Sequence, residues 1–228
     1  MSYQYRSAYS AAALPQPIAA TVGLTREGTY RRWLKRALDI VIVLMVSLPV
    51  AMIIGMMALV VALDGHSPFY VQQRVGQRGR LFRMWKMRTM VVDADAVLDS
   101  YLAENPEARR EWDHHQKLVH DPRVTPVGRF LRSSSIDELP QLWNVLVGDM
   151  SIVGPRPMMP SQRVLYPGTE YYAMRPGITG FWQVSERNET SFHERADYDQ
   201  RYYRQMSLAT DVNVMVKTVG VVVKATGH

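Results

Sequence analysis

The sequence predicts a mixed α/β chain, mostly helical, held at a membrane by one apolar helix and carrying a small sheet. Three observations predict it. From Ile40 to Leu63 no residue is charged, a run long enough to span a bilayer as a helix, whereas a soluble helix of that length would show a polar face. Phe69–Gly76 and Leu81–Arg88 have strand composition, and Gly76 and Gly79 between them suit a hairpin turn. The segment Asp211–Lys224 sets Val212, Val214, Met215, Val216, Val219 and Val221 among polar residues and two lysines. That pattern suits an amphipathic helix, lying in a membrane interface or packed on the core.

Composition narrows the classes. A chain of 228 residues allows one or two domains. With no cysteine, disulfides and thiolate metal sites are excluded. A net charge of +6 and a pI near 9.6 suit phosphate-bearing partners, whether nucleic acid, nucleotide or anionic lipid. Neither a P-loop nor a G-x-G-x-x-G is present.

Residues 1–30 are rich in Ala, Ser, Tyr, Gln and Pro without a sustained period, and predict a mobile tail. No charged start leads into an apolar core there, so they do not have the form of a signal peptide. The basic cluster Arg31-Arg32-Trp33-Leu34-Lys35-Arg36 precedes the apolar run, and Arg74, Arg78, Arg80, Arg83, Lys86 and Arg88 follow it. The positive-inside rule gives one flank of a spanning helix its basic residues; here both flanks ask for the cytoplasmic side. Pro49, mid-segment with Ser47 two residues earlier, would bend the helix. Ser47 could satisfy a carbonyl freed by the proline. On the residues alone, a re-entrant helix and a kinked spanning helix both remain open.

Val91–Leu118 predicts helix interrupted at Asn105-Pro106. His114, His115 and His120 in and after it lack a second ligand set at helical spacing, which argues against a metal site. Asp121–Gly128 is a turn-rich connector into Arg129-Phe130-Leu131-Arg132. Then comes the stretch with most chemistry, Ser134-Ser135-Ile136-Asp137-Glu138-Leu139-Pro140-Gln141-Leu142. Ser135-x-x-Glu138 fits a capping box, and Pro140 suits a first helical turn. Either start puts both carboxylates near a helix N-terminus, where anions are favoured, and Gly148 offers the stop. Asp137 and Glu138 are adjacent and do not share a helix face, which points to separate roles. A carboxylate can attack phosphorus as a nucleophile, and its neighbour can help hold Mg²⁺. An ordinary capped helix has the same spelling.

Asp149–Val153 predicts a short buried strand. In Gly154-Pro155-Arg156-Pro157 the prolines hold Arg156 extended, a presentation suited to bidentate phosphate binding or to a plain surface turn. Arg175–Val184 predicts a turn and a strand, Glu186-Arg187-Asn188 a polar loop, and Ser191–Tyr203 a helix.

Six motifs in order resemble the bacterial sugar transferases, monotopic phosphoglycosyl transferases that begin glycan assembly on polyprenyl phosphate. They are Lys35-Arg36-Ala37-Leu38-Asp39-Ile40, Lys86-Met87-Arg88-Thr89-Met90, Asp121-Pro122-Arg123-Val124-Thr125, Ser135–Gln141, Gly154-Pro155-Arg156-Pro157 and Pro176-Gly177-Ile178-Thr179-Gly180. The resemblance covers residues 31–226. It implies a monotopic protein on the cytosolic face of a bacterial inner membrane, with interfacial amphipathic helices. In that organisation 31–66 form a re-entrant membrane helix broken at Ser47 and Pro49, and 67–228 a cytosolic catalytic domain. It implies a nucleophile at Asp137, Mg²⁺ held by Asp137 and Glu138, phosphate-binding residues at Lys86, Arg132 and Arg156, and a nucleotide-side loop at Arg187-Asn188. The substrates implied are a UDP-sugar, galactose or glucose, and undecaprenyl phosphate, for the first membrane step of exopolysaccharide synthesis. Two positions depart from the family pattern: Leu48 stands where a serine precedes the proline, and Glu186 where a glycine precedes Arg187.

Two other readings of the basic surface are a membrane-anchored nucleic-acid-binding module, with steeply salt-dependent affinity, and a lipid-phosphate hydrolase. Against the first, the basic residues cluster beside the apolar run and no nucleic-acid-binding motif is present.

Overall fold

The structure is a computed structural model that describes residues 28–115, 118–185 and 194–223. The tail assigned to 1–30 falls almost wholly outside the described residues, as does the Arg187-Asn188 loop.

Helix α1 (Lys35–Val61) follows a single π turn at Tyr30–Leu34. Tyr30–Asp64 is the one stretch among the described residues long and apolar enough to cross a membrane, with mean hydropathy 2.7 over an 18-residue window. Leu44, Met45, Leu48, Met52, Met56 and Leu59 are each more than half exposed. An exposed apolar stripe of this kind is the surface of an interaction site, with a membrane or a protein partner. The expected break at Ser47 and Pro49 is not an interruption. The helix runs through Pro49, because proline forfeits only its own bond to the carbonyl four residues back, that of Met45. Nor does Ser47 take up that carbonyl: its hydroxyl donates to Leu44 O at 2.8 Å.

Both ends of α1 are gripped by the polar part of the chain. At the start, Lys35 and the Tyr30 hydroxyl donate to Asp211 at 2.7 and 2.6 Å. Arg36 donates to the carbonyls of Val145 and Leu146, and buried Asp39 accepts from Ser151 Oγ and Ile152 N. At the far end, the Arg88 guanidinium donates to both Asp64 carboxylate oxygens at 2.7 Å and to Val61 O at 3.1 Å.

Strands β1 (Phe69–Val75) and β2 (Leu81–Met87) form the expected antiparallel hairpin, in register Phe69 to Met87 and Val75 to Leu81. A 3-10 turn at Gln77–Gly79 joins them, with Gly79 at φ +74°. Helices α2 (Ala94–Glu104) and α3 (Pro106–His115) are split at Asn105-Pro106 as expected. Helix α4 (Pro126–Ser133) begins inside the predicted connector. The Thr125 side chain caps it by accepting from Gly128 N, and Pro126 takes the first position. Helix α5 (Gln141–Val147) stops at Gly148, φ +93°. Strand β3 (Ser151–Val153) pairs in parallel with β4 (Gly177–Thr179). This approach is so close that a Cβ on Gly177 would lie 2.1 Å from Gly154 N. Phe181–Val184 turns instead of extending the strand, with Val184 N bonding back to Gly180 O.

Helices α6 (Glu170–Ala173), α7 (Glu194–Gln205) and α8 (Leu208–Val223) follow among the described residues. Helix α8 packs on the core through one face. Val214 is buried with Val153, Met174 and Tyr202, while Val212, Val216 and Val219 face outward.

The main core joins Val43 of α1, Phe82 and Met84 of β2, Val145 of α5 and Met150. One buried side chain fixes that junction. Asn144 Oδ1 accepts from Trp85 N at 3.1 Å, and its Nδ2 donates to Arg83 O at 2.8 Å, so an amide on α5 satisfies the open edge of β2 as a neighbouring strand would. Asn144→Ala strands two backbone groups, and we expect a loss of about 3 kcal/mol. A denaturant or thermal unfolding midpoint in detergent should fall accordingly, and Asn144→Leu, which keeps the volume, should not restore it.

Candidate active site

The stretch Ser135–Pro140 does not form the capping box that its spelling suggests. Ser135 sits at φ +57° and its side chain makes no cap bond. The reason lies upstream: α4 has just ended, and Ser135 N bonds back to Arg132 O. The serine thus takes the left-handed position that closes a helix, a conformation incompatible with the extended backbone of an N-cap. Ile136–Glu138 then makes a separate 3-10 turn, and Pro140 serves as the N-cap of α5 rather than its first residue. Asp137 and Glu138 therefore ride on a tight turn between two helices.

That turn packs against the end of β2. Lys86 Nζ donates to Glu138 Oε1 at 2.7 Å and lies 3.7 Å from Asp137 Oδ2. Arg132, from the last turn of α4, donates through Nε to Thr89 Oγ1 at 2.9 Å. Thr89 is held by the Asp121–Thr125 motif: Met90 bridges Val124, and Thr125 N donates to Thr89 O. Gly128 lets α4 come close, since a Cβ there would sit 1.9 Å from Thr89 O. Asp121 is spent on Arg123, which it binds with both carboxylate oxygens at 2.8 and 2.6 Å, and the Arg123 guanidinium lies over Trp112. That motif builds the wall that carries Arg132.

Asp137 is 8 % exposed. Burial pushes its carboxyl above the usual carboxylate range; Lys86 and Arg132 pull it down, while Glu138 pushes it further up. The sequence reading expected the setting to favour the charged form. The cations do so, but desolvation outweighs them.

Arg156 belongs to a second cluster. It and Arg195 both lie over the Trp182 ring, at 5.7 and 5.9 Å. Arg74 feels the charges of both and, being buried, is lowered to about 10. Arg74 also donates to Pro157 O, fastening the proline-bracketed segment to β1. Sequence reasoning passed over Arg74 as one more residue of a basic flank. Strand alternation held the signal, because Arg74 pairs with buried Phe82 on one face of the hairpin. Arg195 had no comparable signal.

No group of three or more His, Asp or Glu side chains that could hold a metal occurs among the described residues. The Asp137–Glu138 pair, both near one ammonium, still matches the smaller need of Mg²⁺, which takes one or two carboxylates and completes its shell with substrate phosphates and water. Asp137's burial and its repulsion from Glu138 are both costs that a divalent cation relieves.

A family model described as bacterial sugar transferase matches residues 30–225. The chain belongs to this family. It is 44 % identical over 198 residues to the UDP-galactose-lipid carrier transferase of Erwinia amylovora, covering 86 % of this chain and 42 % of that protein. It is 41 % identical over 198 residues to the exopolysaccharide production protein ExoY of Rhizobium meliloti, covering 85 % of this chain and 87 % of that one. It is 38 % identical over 200 residues to the UDP-glucose:undecaprenyl-phosphate glucose-1-phosphate transferase of Escherichia coli, covering 82 % and 40 %. The chain thus spans less than half the length of the first and third of these relatives and most of ExoY.

The electrostatics of Asp137 set a sign for its effect on stability. A carboxyl raised in the folded state is destabilising once ionised. That cost appears as pH climbs past the unfolded value, about 3.9, and is complete above the folded value. Asp137→Asn removes it. Its unfolding midpoint should match the parent's at low pH and exceed it at pH 8. A midpoint below the parent's at pH 8 would make the Lys86–Asp137 contact structural.

Proposed function

We propose that this sugar transferase moves a sugar 1-phosphate from a UDP-sugar, with galactose or glucose as the sugar, onto undecaprenyl phosphate, as the first membrane step of exopolysaccharide synthesis. The observation that carries the reading is a buried carboxylate, Asp137, beside Lys86 and Arg132, on a domain fastened to both ends of an apolar helix. The names of its relatives supply the substrate class: one is an undecaprenyl-phosphate galactose phosphotransferase of Salmonella typhimurium, 43 % identical.

Asp137 attacks the β-phosphorus of the donor. The bond from that phosphorus to the bridging oxygen breaks, its electron pair leaves with UMP, and a phosphosugar remains on the carboxylate. An oxygen of the lipid phosphate then attacks the same phosphorus, the bond to Asp137 breaks, and the carboxylate is restored. Desolvation leaves the Asp137 anion poorly stabilised and hence a better nucleophile, while Lys86 and Arg132 offset the charge gathering on the phosphoryl oxygens. Asp137 and Glu138 would hold Mg²⁺, which neutralises charge on the donor phosphates when bound. Arg156, with Arg74 and Arg195 nearby, offers a separate anion-binding surface for the donor.

The grip on both ends of α1 supports a re-entrant placement on the cytosolic face. A 27-residue helix is about 40 Å long. If it crossed the bilayer upright, Arg36 and Asp64 would sit at opposite surfaces, yet both bond to elements of one domain.

Mass spectrometry of the protein mixed with UDP-sugar and Mg²⁺, without lipid, should find a phosphosugar on the peptide containing Asp137, with UMP released. Full turnover by Asp137→Asn would remove Asp137 from the chemistry.

Topology has its own test, made simple by the lack of native cysteine. Single cysteines placed before Arg31 and after Arg88 should both be labelled only from the cytosol. Labelling of the parent from opposite faces would contradict the re-entrant placement.

A further inference from the structure

A groove of about 420 Å³ runs between α1, the hairpin and α5. One of its walls is a single stripe of α1: Val43, Ser47, Val50, Ala51 and Ile54. The hairpin contributes Phe69 and Trp85, stacked edge to face at 6.3 Å. The third side is Leu139, Pro140, Leu142, Trp143 and Leu146. Apart from two indole N–H groups, the polar side chain in this lining is Ser47, and its hydroxyl is satisfied by Leu44 O. Such a surface has no charged group for a phosphate and few polar groups for sugar hydroxyls, and suits hydrocarbon.

Two of its walls are also walls of the carboxylate site. Trp85 lines the groove, and its neighbour Lys86 binds Glu138, as adjacent strand residues point to opposite faces. Leu139 and Pro140 line the groove directly after Asp137 and Glu138. We infer that this groove binds the isoprenoid chain of the lipid acceptor next to its phosphate, so that chain binding delivers the phosphate to Asp137. The inference rests on the proposed transfer to a polyprenyl phosphate. A single chain that ends directly in a phosphate can fill the groove and reach the carboxylates. A diacyl phospholipid places a glycerol branch between its chains and its phosphate. The groove lies along the flank of the helix whose outer stripe is exposed and apolar, so the chain can enter sideways from the bilayer.

Ala51 is the place to test this, since it is exposed and a larger side chain there fills the groove without displacing the core. In Ala51→Phe, KM for undecaprenyl phosphate should rise about tenfold or more, while phosphosugar formation from UDP-sugar in the absence of lipid stays at the parent's level. An unchanged KM overturns the assignment. A second measurement needs no turnover. A polyprenyl phosphate bearing a benzophenone near its phosphate end, irradiated with the parent protein in detergent, should label peptides spanning 43–54 or 139–146. Free undecaprenyl phosphate should compete, and phosphatidylglycerol should not. Labelling confined to other peptides, or equal competition by phosphatidylglycerol, overturns the inference. Failure of the parent to form the Asp137 adduct would instead count against the proposed transfer, which the photolabelling does not require.

Discussion

The fold depends on one constraint: an apolar helix whose two ends are both tied to the same polar domain. The ties differ in kind. At the start of α1 they are buried. Asp39 is 2 % exposed and accepts a hydroxyl and a backbone N–H from β3, while Lys35 reaches the equally buried Asp211. Both bonds land on Asp39 Oδ1, and its buried Oδ2 makes none; losing them would leave the buried carboxyl wholly unpaired, so these contacts fix the helix in register with the domain. At the far end the Arg88–Asp64 pair is more open, with the carboxylate side chain 46 % exposed. It adds position more than energy. With both ends held, the middle of the helix has one flank on the domain, from Val43 to Ile54, and the other on whatever lies outside. The turn that carries Asp137, the groove and the exposed apolar stripe are three consequences of that arrangement.

The Asp137 site is a balance in which desolvation wins. A carboxylate at the surface would be stable and unreactive; one buried without cations would simply be protonated at neutral pH. Lys86 and Arg132 occupy the middle ground, close enough to favour the anion, yet engaged elsewhere with Glu138 and Thr89. Ser135, a non-glycine residue at φ +57°, adds backbone strain of order 1 kcal/mol to hold the turn between α4 and α5. Strain, burial and like-charge proximity meet within four residues. Conflict of this kind between stability and arrangement is characteristic of sites that act on a substrate.

Much of this was legible in the sequence, and the misses have physical causes. The hairpin was readable because composition and paired glycines agree. The helix end at Gly148 was readable because only a left-handed residue closes α5 there. The long apolar helix followed from the absence of charge alone. The capping box failed because Ser135 is claimed first by the helix before it, a competition between neighbours that a four-residue pattern does not contain. Gly128 was taken for a loop residue, whereas its lack of a side chain serves helix-to-strand contact with Thr89. Asn144 gave no signal at all. Its amide finishes the edge of a strand nearly sixty residues earlier, and no local period encodes that.

The link between lipid and chemistry comes from the shortest distance in the chain, the step from one residue to the next. On β2, Trp85 and Lys86 part to opposite faces, apolar to the groove and charged to the carboxylates. On the turn, Glu138 faces Lys86 while Leu139 faces the apolar groove. A boundary between oil and ions therefore runs between two pairs of neighbours on two elements. Asn144 clamps those elements together through the backbone of Trp85 itself. A shift of one residue in the hairpin register would turn Lys86 toward hydrocarbon and Trp85 toward the carboxylates. The clamp that stabilises the fold is thus also what keeps the charged and apolar halves of the site on their proper sides.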